Sequence, residues 1–180
     1  MSELRLSVMQ NDHLPSNFSC GINSIDEQIR GAFCKTLFKQ ARAYNITVDG
    51  HFVGNCMIKL VSLRDENAEY YSSDKEFVAL EISYLAVDKS LQGHGIGSAV
   101  LKRLISQAKS TSEDLPIRFL ILDAFKDKEK WYTDSGFSQY PKKEDLRYPD
   151  TVPMRMDFMN IKSVQEYAES LRSEERRVGK

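Results

Sequence analysis

Cysteine is scarce in this chain: Cys20, Cys34 and Cys56 are an odd set at wide spacing. That excludes a disulfide framework, and no pair stands at the interval of a zinc site, so all three read as reduced, mostly packed thiols. Cys20 has no histidine placed to activate it. The histidines His13, His51 and His94 are scattered, so no metal site is expected. Long apolar runs are missing as well. None approaches the ~18 residues of a membrane span, and Met1 to Gln10 lacks the apolar centre of a secretion signal. The expectation is a cytoplasmic protein without membrane contact. An excess of charge is also absent: 25 Lys and Arg face 26 Asp and Glu, for a net charge of -1, which leaves no generally basic field. There are no internal repeats or low-complexity tracts.

What is present is 180 residues with 41% hydrophobic side chains, enough for one sizeable core. We expect a single domain over residues 1–160 and a charged tail, a frayed helix, over 161–180. Leu4, Leu6 and Val8 alternate with polar neighbours as in a short strand. From Asn17 onward Ile25, Ile29, Ala32, Phe33 and Leu37 share a helical face, with Asn23 or Ser24 as cap, in one helix or two. Arg42 to Val48 alternates as a strand, and Asp49-Gly50 turns it into a second, Phe52 to Val61. Arg64 to Glu76 is polar and reads as a loop. Ile117 to Ala124 reads as a strand, and its apolar run Phe119 to Leu122 suits a central position. A short helix over Asp127 to Ser135 then stops at Gly136, and Thr151 to Met159 alternates as a last strand. Lys109 to Pro116 reads as a polar loop.

The stretch that organises the rest runs from Leu80 to Ala108. Leu80 to Val87 is strand-like with one charge, Glu81, and the glycine turn Gln92-Gly93-His94-Gly95-Ile96-Gly97-Ser98 follows. Ile96, Val100, Leu101, Leu104, Ile105 and Ala108 then recur at helical spacing. Alternate glycines at a helix entry admit positive φ and clear side chains from the first amides, which sit at the positive end of the helix dipole. A phosphate or pyrophosphate fits there, with Gln92 offering a side-chain donor. No Gly-Lys-Ser/Thr follows, which excludes a Walker A loop. Ser98, where a glycine or alanine would stand, and a position far from the start of the chain argue against a dinucleotide fingerprint.

Leu85-Ala86-Val87 followed by Gln92-x-x-Gly95-x-Gly97 and an amphipathic helix resembles the acetyl-coenzyme A signature of the GNAT acetyltransferase superfamily. The resemblance implies an α/β (α+β) fold: a mixed, mostly antiparallel sheet, splayed at its centre, with helices on both faces. It implies acetyl-coenzyme A as cofactor, pyrophosphate on the amides of Gln92 to Ser98, and pantetheine along Leu85, Ala86 and Val87. Trp131-Tyr132-Thr133-Asp134-Ser135-Gly136-Phe137 looks like the family's second motif and puts Tyr132 at the general acid. Glu81, the sole acid of its strand, is the candidate base, although some relatives use none. An amine with a reference pKa of about 8 would need base help far less than a lysine near 10.4. Lys126, Lys128 and Lys130 stand where they can steer an anion.

A narrower likeness joins Phe18-x-Cys20-Gly21-x-x-x-x-Asp26, Ala41-Arg42-Ala43-Tyr44 and Leu85-Ala86-Val87-Asp88. Together they resemble the branch that contains toxin acetyltransferases. This implies an acceptor amine on aminoacyl-tRNA, a ribbon-helix-helix antitoxin as partner and a homodimer. Tyr84 and His94 stand where toxin members commonly carry arginine. A small-amine or protein acetyltransferase, or a coenzyme-binding module without turnover, are the other readings the residues admit. Acceptor loops are expected over Arg64 to Glu76 and Tyr140 to Pro153.

Overall fold

The computed structural model describes residues 3–64, 75–140 and 150–178. Strand β1 (Leu4–Val8) leads to two short helices, α1 (Asn23–Arg30) and α2 (Ala32–Leu37). Then come β2 (Arg42–Val48), β3 (His51–Arg64) and β4 (Glu76–Val87), the long helix α3 (Ile96–Asp114), and β5 (Ile117–Phe125). Helix α4 (Glu129–Asp134), β6 (Ser138–Gln139), β7 (Thr151–Asp157) and α5 (Ile161–Val178) complete the chain. The seven strands form one sheet in the order β1-β2-β3-β4-β5-β7-β6, in which only β4 and β5 run parallel. This is the mixed, mostly antiparallel sheet expected.

Its two faces are covered by different helices. Helix α3 lays Val100, Leu101, Leu104 and Ala108 on Leu80, Ile82, Leu120 and Leu122. On the other face α1 and α2 place Ile29 and Ala32 over Ala43, Met57, Tyr84 and Ala86. Strand alternation makes this possible: Cys56 faces one cluster and its neighbour Met57 the other. A third cluster, Ala79, Phe119, Ile121 and Tyr140, extends the second face past those helices.

The β2–β3 hairpin turns at Asp49 and Gly50, whose φ values of +49° and +81° give the primed turn that matches strand twist. Its register slips by one residue between Ile46 and Thr47, beside Gly54. A Cβ added to Gly54 would collide with the carbonyl oxygen of Ala86 and lie 3.1 Å from Val87 Cα, so β3 and β4 approach here as only glycine permits.

Three expectations need correction. The cap of α1 is Ile22, whose carbonyl accepts from Ile25 and Asp26 N–H at 3.0 Å each, so Asn23 already lies inside the helix. Leu37 is 62% exposed because Gly31 separates α1 from α2 and breaks the single helical phase that would have buried it. Residues 109–114 are helix, not loop. There Thr111 and Ser112 turn their hydroxyls back onto the carbonyls of Gln107 and Lys109, and α3 stops only when Leu115, held extended before Pro116, leaves helical geometry. The expected acceptor loops fall largely on residues 65–74 and 141–149, outside the described residues.

Burial has a consequence in alkali. It raises the Cys20 thiol to about 11, with Asp26 adding to the shift, and the Cys56 thiol to about 12, from an ordinary value of 9.0. Tyr132 and Tyr140 are raised to about 12 and Tyr84 moves in the same direction, all chiefly by burial. These groups remain neutral in the folded protein while the unfolded chain ionises. The stability they contribute is whole below about pH 9 and is lost as pH rises toward 11 to 12. Thermal melts should show a Tm that falls by several degrees, roughly 5 °C, between pH 8 and pH 10.5. In Cys56→Val the fall should be smaller.

Candidate active site

β4 and β5 begin as a parallel pair and then part. Val78, Ala79, Leu80 and Glu81 pair with Ile117, Phe119, Leu120 and Ile121, and the ladder ends there. From Ile82 to Val87 β4 is hydrogen-bonded only to β3, while β5 from Leu122 to Phe125 is bonded only to β7. A wedge therefore opens toward the C-terminal ends of both strands. Backbone N–H and C=O groups along its walls lack a ladder partner, and an extended ligand carrying amides can supply one.

The glycine turn closes the wide end of the wedge. Gly93 and Gly95 both have φ of +80°, a left-handed conformation that explains their identity. The first intrahelical bond of α3 is donated by Ala99 N–H to the Gly95 carbonyl at 3.0 Å, and no side chain caps the amides of Ile96, Gly97 and Ser98 before it. These face an open approach, since a Cβ added at Gly93 or Gly95 would meet nothing within 4 Å. At Gly97 it would come only within 3.8 Å of the Trp131 ring and 3.9 Å of Leu85 Cδ2. The cradle fits a pyrophosphate.

Gln92 does not point into that cradle. Its side-chain amide donates to the carbonyls of Cys20 at 2.9 Å and Val87 at 3.0 Å, which uses both of its hydrogens. It braces the turn against the segment after Phe18. That segment is itself held: Asp26 accepts from Ser19 Oγ at 2.7 Å and Cys20 N–H at 3.0 Å, and Lys89 N–H donates to the Ser19 carbonyl at 2.9 Å. Burial works against the Asp26 charge, but the bonds from Cys20 and Ser19 outweigh it and hold the carboxyl below its usual range. The early Cys20-Gly21 motif thus supports the later turn. His94 Nδ1 lies 3.0 Å from the Gln92 carbonyl and 3.2 Å from that of Leu91; carbonyls only accept, so Nδ1 carries the proton.

Leu85 lies on the α3 side, beside Gly97. The Ala86 side chain is buried under α1 and α2, so only its backbone can reach the wedge, and the Val87 carbonyl is already taken by Gln92. Tyr84 is buried too, its hydroxyl donating to Asn55 Oδ1 at 2.8 Å, while Asn55 Nδ2 donates to Asn45.

Helix α4 packs beside the first turn of α3, on the α3-side cluster. Trp131, a residue whose role the motif alone did not disclose, donates its indole N–H to Ser98 Oγ at 3.0 Å and so ties α4 to the first turn of α3. The Ser98 hydroxyl is thereby committed to Trp131. Tyr132 packs edge-on between Trp131 and Phe137, at ring distances of 4.6 and 5.8 Å. No described residue hydrogen-bonds its hydroxyl, and burial raises the phenol to about 12. Glu81 sits where the wedge starts, 3.0 Å from Lys59 Nζ and accepting from Ser83 Oγ at 3.2 Å. Lys126, Lys128 and Lys130 are each paired with an aspartate, Asp150, Asp127 and Asp134, so little net positive charge is left to steer an anion.

Residues 13–137 match the sequence profile of the acetyltransferase (GNAT) family. No curated protein matches the chain. Among solved structures it is similar to a bacterial toxin at 21% identity, over 94% of this chain and 97% of that one, with a TM-score of 0.73. It is similar to AtaT complexed with acetyl-methionyl-tRNAfMet at 17% identity, over 92% and 99%, with a TM-score of 0.69. AtaTR bound with acetyl-coenzyme A matches at 18% identity over 91% and 97%, with a TM-score of 0.68. At these identities the likeness establishes the fold.

Proposed function

The chain belongs to the acetyltransferase (GNAT) family, and from that premise we propose that the amine it acetylates is the α-amine of an aminoacyl-tRNA. It is an N-acetyltransferase whose acetyl donor is acetyl-coenzyme A. The donor supplies a thioester, a carbonyl already activated toward amines. In this reading the amides of Ile96, Gly97 and Ser98, with the turn at Gly93 to Gly95, hold the pyrophosphate, and the free edge of β4 from Ile82 pairs with the pantetheine amides. Leu85 lines that edge. The amine nitrogen bonds to the thioester carbon as the carbon–sulfur bond breaks, Tyr132 gives its proton to the departing sulfur, and Glu81 or solvent takes the proton the nitrogen sheds.

The observation that carries the reading is the wedge between β4 and β5, with a bare helix N-terminus at its mouth. The acceptor assignment draws on the whole-length similarity to AtaT in complex with an acetylated aminoacyl-tRNA. It is also chemically apt. Glu81 is already engaged by Lys59 and Ser83, and a weakly basic α-amine asks least of such a base. On this reading the partner is an antitoxin of the ribbon-helix-helix type, and the active form is a homodimer.

The test is transfer of labelled acetyl from acetyl-coenzyme A into charged total tRNA, with deacylated tRNA and a mixture of polyamines and free amino acids in parallel. Label in charged tRNA alone is expected. Label confined to the small amines would assign metabolite chemistry instead, and cofactor binding without label anywhere would indicate a protein acceptor or a binding module.

A further inference from the structure

The third apolar cluster ends at the wedge on the face opposite α3, and its last member is polar. Tyr140 is 7% exposed, packed with Ala79, Phe119 and Ile121, yet no described residue hydrogen-bonds its hydroxyl. Its backbone N–H donates to the Pro153 carbonyl at 3.2 Å, and Pro153 is the cross-strand partner of Asp123. Tyr140 is thus anchored at the level of Asp123. Along β5, Ile121 and Asp123 share a face, and Ile121 pairs with Glu81 at the last rung of the β4–β5 ladder. Glu81 and Asp123 therefore stand on the same face at the point where the strands separate, on either side of the opening.

We propose that Tyr140, Glu81 and Asp123 form the acceptor site, which binds a primary ammonium group whose neighbouring carboxyl is esterified. This rests on the reading that the chain transfers acetyl to an amine. Tyr132 packs against the α3-side cluster and Tyr140 against the opposite one, so the donor enters the wedge from one face and the amine from the other. Glu81 already holds Lys59 and Ser83, and Asp123 has a partner of its own, but a carboxylate has about four acceptor positions, so the two carboxylates and the hydroxyl oxygen still have room for the three hydrogens of an ammonium. The electrostatics agree with the placement: besides burial, Asp123 and then Glu81 push the Tyr140 phenol up to about 12, and the opposing effect of Arg155 is smaller. A negative potential at the hydroxyl attracts an ammonium and repels a free α-carboxylate, which an ester removes. Lys59 on Glu81 and Arg155, 5.6 Å from the Tyr140 ring centroid, disfavour a second cationic group such as a polyamine carries.

The probe is methionine methyl ester, set against free methionine and the isosteric 2-hydroxy ester. Binding to the full chain is followed by NMR titration, and acetylation is followed at saturating acetyl-coenzyme A. The wild type should bind the amino ester roughly tenfold more tightly than the hydroxy ester or free methionine, the margin of about one charge-assisted contact. In Asp123→Asn that margin should vanish. Its KM for the amino ester should rise about tenfold while kcat and the KM for acetyl-coenzyme A change less than about twofold, and Asp123→Glu should restore part of the loss. Tyr140→Phe should weaken the ester in the same direction. Equal binding of the amino and hydroxy esters by the wild type, or an undiminished margin in Asp123→Asn, overturns the proposal. Charged tRNA that stays unlabelled beside a clear ester preference removes the tRNA reading and leaves this site standing. Labelled tRNA whose KM is indifferent to Asp123→Asn does the reverse.

Discussion

Replacing Tyr132 by phenylalanine should lower kcat about 100-fold or more, the usual worth of a positioned proton donor, and leave coenzyme binding and thermal stability nearly unchanged. The ring makes its contacts with Trp131 and Phe137 through carbon, and its backbone carbonyl receives the Phe137 N–H at 3.1 Å, none of which involves the hydroxyl. With its phenol near 12, Tyr132 keeps its proton at every working pH. Such a phenol is a weaker acid than an ordinary thiol, at about 8.5, but the burial that raises the tyrosine also destabilises a thiolate beside it and narrows the difference. It follows that no downward limb from Tyr132 should enter the pH–rate profile below about pH 10. Rates for Tyr132→Phe across pH 6 to 10, with acetyl-coenzyme A binding measured alongside, check both statements. Full activity in the variant would end the acid assignment.

The second large effect is expected far from any reactive atom. Gly54→Ala should lower stability by about 3 kcal/mol, or roughly 6 to 12 °C in Tm for a chain of this length. The new methyl group has no flexible neighbour to displace, since what it meets is the backbone of Ala86 and Val87. Relief requires β3 and β4 to move apart at Gly54↔Val87, where Asp88 N–H also bonds to the Val53 carbonyl at 2.8 Å. That end of β4 is a wall of the wedge, so coenzyme affinity should fall with stability. Gly31→Ala, where the nearest atom is 3.8 Å away, is the control that should fold normally. Equal melting temperatures for Gly54→Ala and the wild type would show that the close approach is not maintained in solution.

Local chemistry accounts for what was readable in advance. Asp49-Gly50 announces its turn because few residues accept positive φ, and Gly93 and Gly95 announce theirs for the same reason. The apolar run Phe119 to Leu122 marks a central strand because only a strand covered on both faces tolerates it. The family signature rests on those features, which is why fold, cofactor and enzyme class were legible from residues alone. The length of α3 was not, because polar residues at a helix end look like a loop until Pro116 is seen to be the stop.

What tertiary structure decided is which atoms each side chain meets. Gln92 reads as a phosphate donor in its own motif and becomes a brace once Cys20, 72 residues earlier, is brought to it. Gly54 sits in a plain strand sequence, and its necessity appears only where β4 crosses within backbone contact. Ser98 acquires its partner from Trp131, and Tyr140 and Asp123 acquire theirs from the register of β5 against β4 and β7. Torsional preference and hydrophobic period act within a few residues and are written in the chain. Hydrogen bonds and charges across the wedge depend on distances between remote segments, which exist only after the sheet has formed.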